Sequence, residues 1–235
     1  MNLSKPVFVA LDVDNFDKAL SLAKDLAPHV GGFKLGPRLT YKYGATIVEK
    51  LSELGLVFVD NKYHDIPSTV IAALRATHAA GASFTTVHAS HGLPALKEFF
   101  KIEQELNQSR SFKILAVTVL TSFTDSTFPA NWVHQSAAQH VLNLADQVFE
   151  SGLSGLVCSP EEVQGLRQRY PGAFLVTPGI RLPGDKLDDQ KRVATPKEAL
   201  KSGASALVIG RPIIDAKDPV VAAQSIADDI SKIFA

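Results

Sequence analysis

Two carboxylates and an ammonium stand within six residues in Asp60-Asn61-Lys62-Tyr63-His64-Asp65, directly after the apolar run Leu54-Gly55-Leu56-Val57-Phe58-Val59. An apolar run that ends in charges is what the exit of a barrel strand looks like. If Val57 to Lys62 is a strand, alternation puts Asp60 and Lys62 on one face within reach of each other, with Asp65 on the following turn. A lysine between carboxylates can hold negative charge in place and deliver a proton. The blander alternative is an exposed ion pair at a strand end, which contributes little. A third charge, Lys34, closes another short run, Gly31-Gly32-Phe33-Lys34-Leu35-Gly36.

The elements that must position these charges can be read from periodicity. Short β-rich runs occur at Val7 to Asp12, Gly31 to Gly36, Val57 to Lys62, Ser83 to Ala89, Ile114 to Leu120, Gly155 to Ser159, Phe174 to Pro178 and Leu207 to Gly210. Helical patterns lie between them, at Asp17 to Leu26, Arg38 to Leu54, Ser68 to Ala80, Leu93 to Leu106, Ala137 to Ser151, Pro160 to Arg169, Pro196 to Ser202 and Asp218 to Ile233. In Ala137 to Ser151, Val141, Leu144, Ala145, Val148 and Phe149 recur at helical spacing. Strict strand–helix alternation argues for a parallel sheet, and eight units predict a closed (β/α)8 TIM barrel of the α/β class. An open doubly wound sheet would want a Gly-rich first turn, and Asp12-Val13-Asp14-Asn15 has no glycine. One domain over residues 1–235 is expected, since barrels reach this size as single units.

Composition narrows the function. Lysine plus arginine equals aspartate plus glutamate at 24 each, so no global field recruits nucleic acid or an acidic membrane, and an anion site must be built locally. No run is long enough to span a bilayer, and the start carries no signal core. The one cysteine, Cys158, reads as a small buried apolar residue and fits a reducing cytoplasm.

Barrel enzymes work at the carboxyl ends of their strands. Collected in order, those ends carry Asp12, Lys34, Asp60 with Lys62, His88, Thr121 with Ser122, Pro178-Gly179-Ile180-Arg181, and Gly210-Arg211. The last two ends often build a phosphate site, where a glycine admits close backbone approach and an arginine grips two oxygens. The polar stretch from Arg181 to Arg192 is long enough to act as a lid.

These segments resemble a known family. Phe8-Val9-Ala10-Leu11-Asp12, Phe33-Lys34-Leu35-Gly36, Asp60-x-Lys62-x-x-Asp65-Ile66-Pro67, Val87-His88-Ala89, Val117 to Ser122, Thr177 to Arg181, Asp189-Gln190-x-Arg192 and Ile209 to Ile213 are similar to orotidine 5′-monophosphate decarboxylases of the bacterial type. His91 where glycine is common, Leu182 where proline is common and Tyr63 where phenylalanine is usual are the departures. The resemblance implies decarboxylation of the nucleotide to uridine 5′-monophosphate without metal or organic cofactor, in a cytoplasmic homodimer. It implies that Lys34, Asp60, Lys62 and Asp65 form an alternating charge array, with Asp65 and Thr69 reaching in from the second subunit. It also implies that Asp12 and Lys34 hold ribose hydroxyls, Thr121 the pyrimidine ring, Gln190 phosphate and ring, and Pro178, Arg181, Gly210 and Arg211 the remaining substrate contacts. His64, His88 and His91 stay unassigned. Three other readings remain open: a metal-dependent sugar-phosphate enzyme of the same barrel group, which would want a carboxylate in place of Lys34, a Schiff-base aldolase using Lys62, and a nucleotide-binding barrel without catalysis.

Overall fold

In the computed structural model, residues 3–182 and 193–234 are described. Eight parallel strands close into a barrel: β1 (Val7–Ala10), β2 (Gly32–Leu35), β3 (Leu56–Tyr63), β4 (Phe84–His88), β5 (Lys113–Val117), β6 (Gly155–Val157), β7 (Phe174–Thr177) and β8 (Ala206–Ile209). Closure is made by β8 on β1, where Val9 stands opposite Ile209. Between them run α1 (Phe16–Leu26), α2 (Pro37–Ser52), α3 (Pro67–Ala79), α4 (Leu93–Leu106), α5 (Ala137–Ser151), α6 (Pro160–Arg169) and α7 (Pro196–Lys201). A short α8 (Arg211–Ile214) and then α9 (Pro219–Phe234) follow β8. The expected TIM barrel is therefore the observed fold.

The differences from the sequence reading have local causes. Helices α2 and α3 start one residue earlier than periodicity suggests, on Pro37 and Pro67, because proline needs no hydrogen bond in the first turn. Polar caps start others: Asn15 accepts from the Lys18 N–H at 2.9 Å, and Ser136 accepts from Gln139. Helix α2 is not continuous, since Gly44 at φ 59 and ψ −141 breaks it. Most strands end short of the site residues, so that Asp12, Thr121, Pro178 and Gly210 stand beyond the ladder. Both α8 and a short 3₁₀ turn, Ala89–His91, are too brief to show in periodicity.

Apolar side chains fill the molecule in two places. One layer lies between the strands and the helices; the other, made of Phe8, Phe58, Phe84, Leu115, Phe174, Val176 and Ala206, fills the barrel itself. Phe84 joins this plug together, edge-on to Phe8 at 5.2 Å and stacked on Phe174 at 5.5 Å. Gly32 makes the space: a Cβ there would meet the Leu56 carbonyl oxygen at 2.2 Å and the Phe8 ring at 2.8 Å. The charged strand ends therefore stand on a dry aromatic floor.

Truncating the centre of that floor leaves a cavity that the β-ladder cannot collapse. Phe84→Ala is expected to lower the unfolding free energy by about 3–5 kcal/mol in denaturant titration, and a loss under about 1 kcal/mol would contradict the packing described.

Candidate active site

A cavity of about 260 Å³ opens at the carboxyl ends of the strands. Asp12 enters it from the turn after β1, Lys34 from β2, and Asp60 and Lys62 from β3. Thr121 enters after β5, Pro178, Gly179 and Arg181 after β7, and Gly210 with Arg211 after β8. Phe58, Val117, Val157 and Val208 supply the apolar base. Charge on the lip and apolar surface below favour a ligand with an ionic end and a flat, weakly polar body.

The charges of the near wall sort into two pairs. Lys34, only 9% exposed, places its Nζ 3.1 Å from Asp12 Oδ1. Lys62 Nζ lies 2.8 Å from Asp60 Oδ2. The expected contact of Asp60 with Lys62 is thus present, although simple pleat alternation does not produce it. β3 is in register with β4 at Phe58 opposite Phe84 and Val59 opposite Thr85, then jumps to Tyr63 opposite Val87. In that bulge Lys62 has φ 51, the one non-glycine residue with positive φ among those described. Such backbone costs about 1–3 kcal/mol and occurs where surrounding structure over-determines it.

Both sides of the strand hold the bulge. On the inner side, the fully buried Thr86 accepts from the Lys62 N–H at 2.8 Å and donates to Asp60 Oδ1 at 3.1 Å. On the outer side, Thr40 donates to Asn61 Oδ1 at 2.7 Å, Asn61 donates to Tyr63 Oη at 3.2 Å, and Tyr63 shares a 2.7 Å hydrogen bond with Thr77. Asp60 and Lys62 face the cavity while Asn61 and Tyr63 anchor to α2 and α3.

The family model described as Orotidine 5′-phosphate decarboxylase / HUMPS family matches residues 5–226. The chain belongs to this family. It is similar to the Orotidine 5′-phosphate decarboxylase of Novosphingobium aromaticivorans, with 40% identity over 225 residues that cover 95% of this chain and 98% of the relative. That of Rhodopseudomonas palustris is 42% identical over 228 residues, covering 96% and 94%. Among solved structures, the Lactobacillus acidophilus Orotidine 5′-phosphate decarboxylase superposes with a TM-score of 0.83 at 36% identity, covering 99% of this chain and all of that one. Membership makes the protein an enzyme of the decarboxylase type.

Of the residues singled out in the sequence, Asp12, Lys34, Asp60, Lys62, Thr121, Pro178, Arg181, Gly210 and Arg211 all line one cavity. Asp65, Thr69 and Ser122 do not; all three are solvent-exposed in the single chain. Asp65 Oδ1 accepts from the N–H of Ile66, a residue that is 65% exposed, at 2.6 Å. Gln190 and Arg192, with the expected lid from Pro183 onward, lie outside the described residues. Cys158 is buried as expected and also borders the cavity. Sequence reasoning missed Thr86; its only signal is that Phe84, Thr86 and His88 share one face of β4 by alternation.

The three unassigned histidines meet behind Lys62. His64 stacks on His88 at 4.9 Å and meets the edge of His91 at the same distance. His91 Nε2 donates to the Tyr63 carbonyl at 3.2 Å, and His64 shares a 3.3 Å hydrogen bond with Ser90. Among the described residues no group of three His, Cys, Asp or Glu side chains is arranged to hold a metal ion, this cluster included. Burial, reinforced by His64, Lys62 and His91 and opposed by Asp60, pushes the His88 imidazolium down to about 4. His88 is therefore neutral at physiological pH and stacks on His64 as an uncharged ring.

This depressed value makes stability pH-dependent. Above the ordinary histidine range, near pH 6.5, His88 is neutral in both folded and unfolded chains and its environment costs nothing. As pH falls toward 4 the unfolded chain takes up a proton that the folded one refuses, so stability drops until the folded ring also titrates. For a ring that solvent partly reaches, the loss is expected to be about 1–2 kcal/mol. His88→Gln should remove that part of the decline in unfolding titrations run between about pH 7 and about pH 4.5; equal declines in both proteins would contradict it.

Proposed function

We propose that this enzyme converts orotidine 5′-monophosphate to uridine 5′-monophosphate and carbon dioxide, a step of de novo pyrimidine synthesis, without metal or organic cofactor. The observation that carries the reading is the Lys62–Asp60 pair, 2.8 Å apart, in a cavity with an apolar base that Arg181, Gly210 and Arg211 also line. That layout suits a ligand with phosphate at one end and a reacting carboxylate at the other. Family membership and relatives named for this activity support it.

In this reading Arg181, Gly210 and Arg211 receive the phosphate, with Gln190 joining them and the ring. Asp12 and Lys34 hold the ribose hydroxyls, Thr121 and Pro178 bound the pyrimidine, and the substrate carboxylate sits beside Asp60. The bond from C6 to the carboxylate carbon breaks, carbon dioxide leaves, and the electron pair stays on C6. Lys62 stabilises that carbanion as an ammonium and then transfers its proton to C6; water restores the lysine proton. Repulsion between two carboxylates about 4 Å apart amounts to about 4 kcal/mol at an effective dielectric of about 20, too little to account for catalysis alone. The larger part falls to fixed charge that matches the carbanion, held in register by binding energy at the remote phosphate.

The reading includes a homodimer in the cytoplasm, with Asp65 and Thr69 completing the partner's cavity. It gives a reason for two polar residues and an exposed Ile66 on one surface beside the catalytic strand. In the single chain they flank the site without entering it.

The direct test is the ultraviolet absorbance change of orotidine 5′-monophosphate with purified enzyme in chelator. Conversion is expected, with a loss of about 10³-fold or more in Lys62→Ala; a wild type that leaves the substrate unchanged would overturn the proposal. Shared sites have their own test. Equal mixing of Lys62→Ala with Asp65→Ala subunits, after verified exchange, is expected to restore about a quarter of wild-type activity, because half the dimers hold one intact site of two. No restoration would show that each chain supplies its own Asp65.

A further inference from the structure

We infer that Thr86 is a positioning residue for the reaction: its hydroxyl locks the Lys62 backbone and the Asp60 carboxylate into one closed ring of hydrogen bonds. The inference rests on the proposed decarboxylation and assigns a task to a residue that does not line the cavity.

The ring can be traced atom by atom. The Lys62 N–H donates to Thr86 Oγ1 at 2.8 Å, the same hydroxyl donates to Asp60 Oδ1 at 3.1 Å, and Asp60 Oδ2 receives the Lys62 ammonium at 2.8 Å. The bulge makes this necessary. From Val59 to Tyr63 the chain takes four steps while β4 takes only two, from Thr85 to Val87. Opposite that gap Thr86 supplies a side-chain acceptor for the Lys62 amide in place of a ladder carbonyl.

Only a group that accepts and donates at once can close the ring in this volume. Thr86 is fully buried, so water does not substitute for it. Valine matches its shape and can do neither. Without the hydroxyl, the Lys62 amide loses its acceptor, Asp60 loses a donor, and the inner of the two constraints holding Lys62 at φ 51 is gone. The lysine then relaxes toward ordinary strand geometry, which turns its ammonium away from the place where C6 must sit. Misplacement by about 1 Å costs about 10²-fold in rate. Substrate affinity changes little, because the phosphate and ribose contacts come from other strands.

The test compares Thr86→Val and Thr86→Ala with Thr86→Ser. Serine keeps the hydroxyl and is expected to hold kcat within about 3-fold of wild type, whereas valine and alanine lose about 10²-fold in kcat with KM changed less than about 3-fold. Because serine and alanine differ by the hydroxyl alone, that pair decides the matter if valine fails to fold. Amide hydrogen exchange at Lys62, followed by NMR, provides a readout independent of turnover: it is expected to accelerate in the alanine variant and not in the serine variant. A kcat for Thr86→Ala equal to that of Thr86→Ser, or equal Lys62 exchange in the two, would overturn the inference. A wild type unable to convert orotidine 5′-monophosphate would overturn the proposed function instead, and Lys62 exchange would still decide whether Thr86 holds the strand end.

Discussion

The ion pair between Lys62 and Asp60 depends on a break in a β-ladder. A regular strand would bring the two side chains to the same face but would leave the lysine backbone in the sheet. Here the chain spends extra residues between Val59 and Tyr63, Lys62 takes a left-handed conformation, and the ammonium meets Asp60 at 2.8 Å. Local strain of this kind is held by what surrounds it. The threonine inside and the Thr40–Asn61–Tyr63–Thr77 chain outside both hold the same short segment.

The rest of the barrel keeps that segment still. Below the charges, rings from β1, β3, β4 and β7 interlock, so the strand that carries Asp60 and Lys62 is fixed by its own Phe58 against Phe8 and Phe84. The division of labour is vertical: apolar packing at the base supplies stability, and the strand exits supply polar groups that packing alone would never select. Lys34 illustrates the cost of that arrangement, since a lysine only 9% exposed stays compatible with folding through its partner Asp12.

Much of this was legible in the residues. Strand exits are marked by apolar runs that stop at a polar residue, and most of the positions collected by that rule, from Asp12 through Arg211, line a single cavity, with His88 and Ser122 outside it. Alternation correctly paired Asp60 with Lys62, yet for an incomplete reason, because the sign of a lysine φ leaves no trace in hydrophobic pattern. Thr86 escaped notice since threonine is an ordinary strand residue, and its importance arises only from facing the bulge. Asp65 stood out by its spacing after Lys62, but its place in a shared site, like that of Thr69, entered through resemblance alone; periodicity puts them on a turn and a helix face, and the single chain leaves them there. Gly44 within α2 shows the other limit, where one backbone angle interrupts an otherwise periodic helix.

The closure of β8 on β1 has a consequence for how the molecule comes into being. Asp12 and Arg211 border the same cavity although almost the whole chain separates them. A chain emerging from the ribosome carries the β3 charges early, but the cavity lacks its Gly210–Arg211 edge until β8 has been made and has docked beside the first strand. Ligand therefore cannot stabilise partial structures on the way, and its stabilising effect applies only to the completed ring. Nascent and truncated chains must rely on the aromatic plug and the helix coat for whatever order they have.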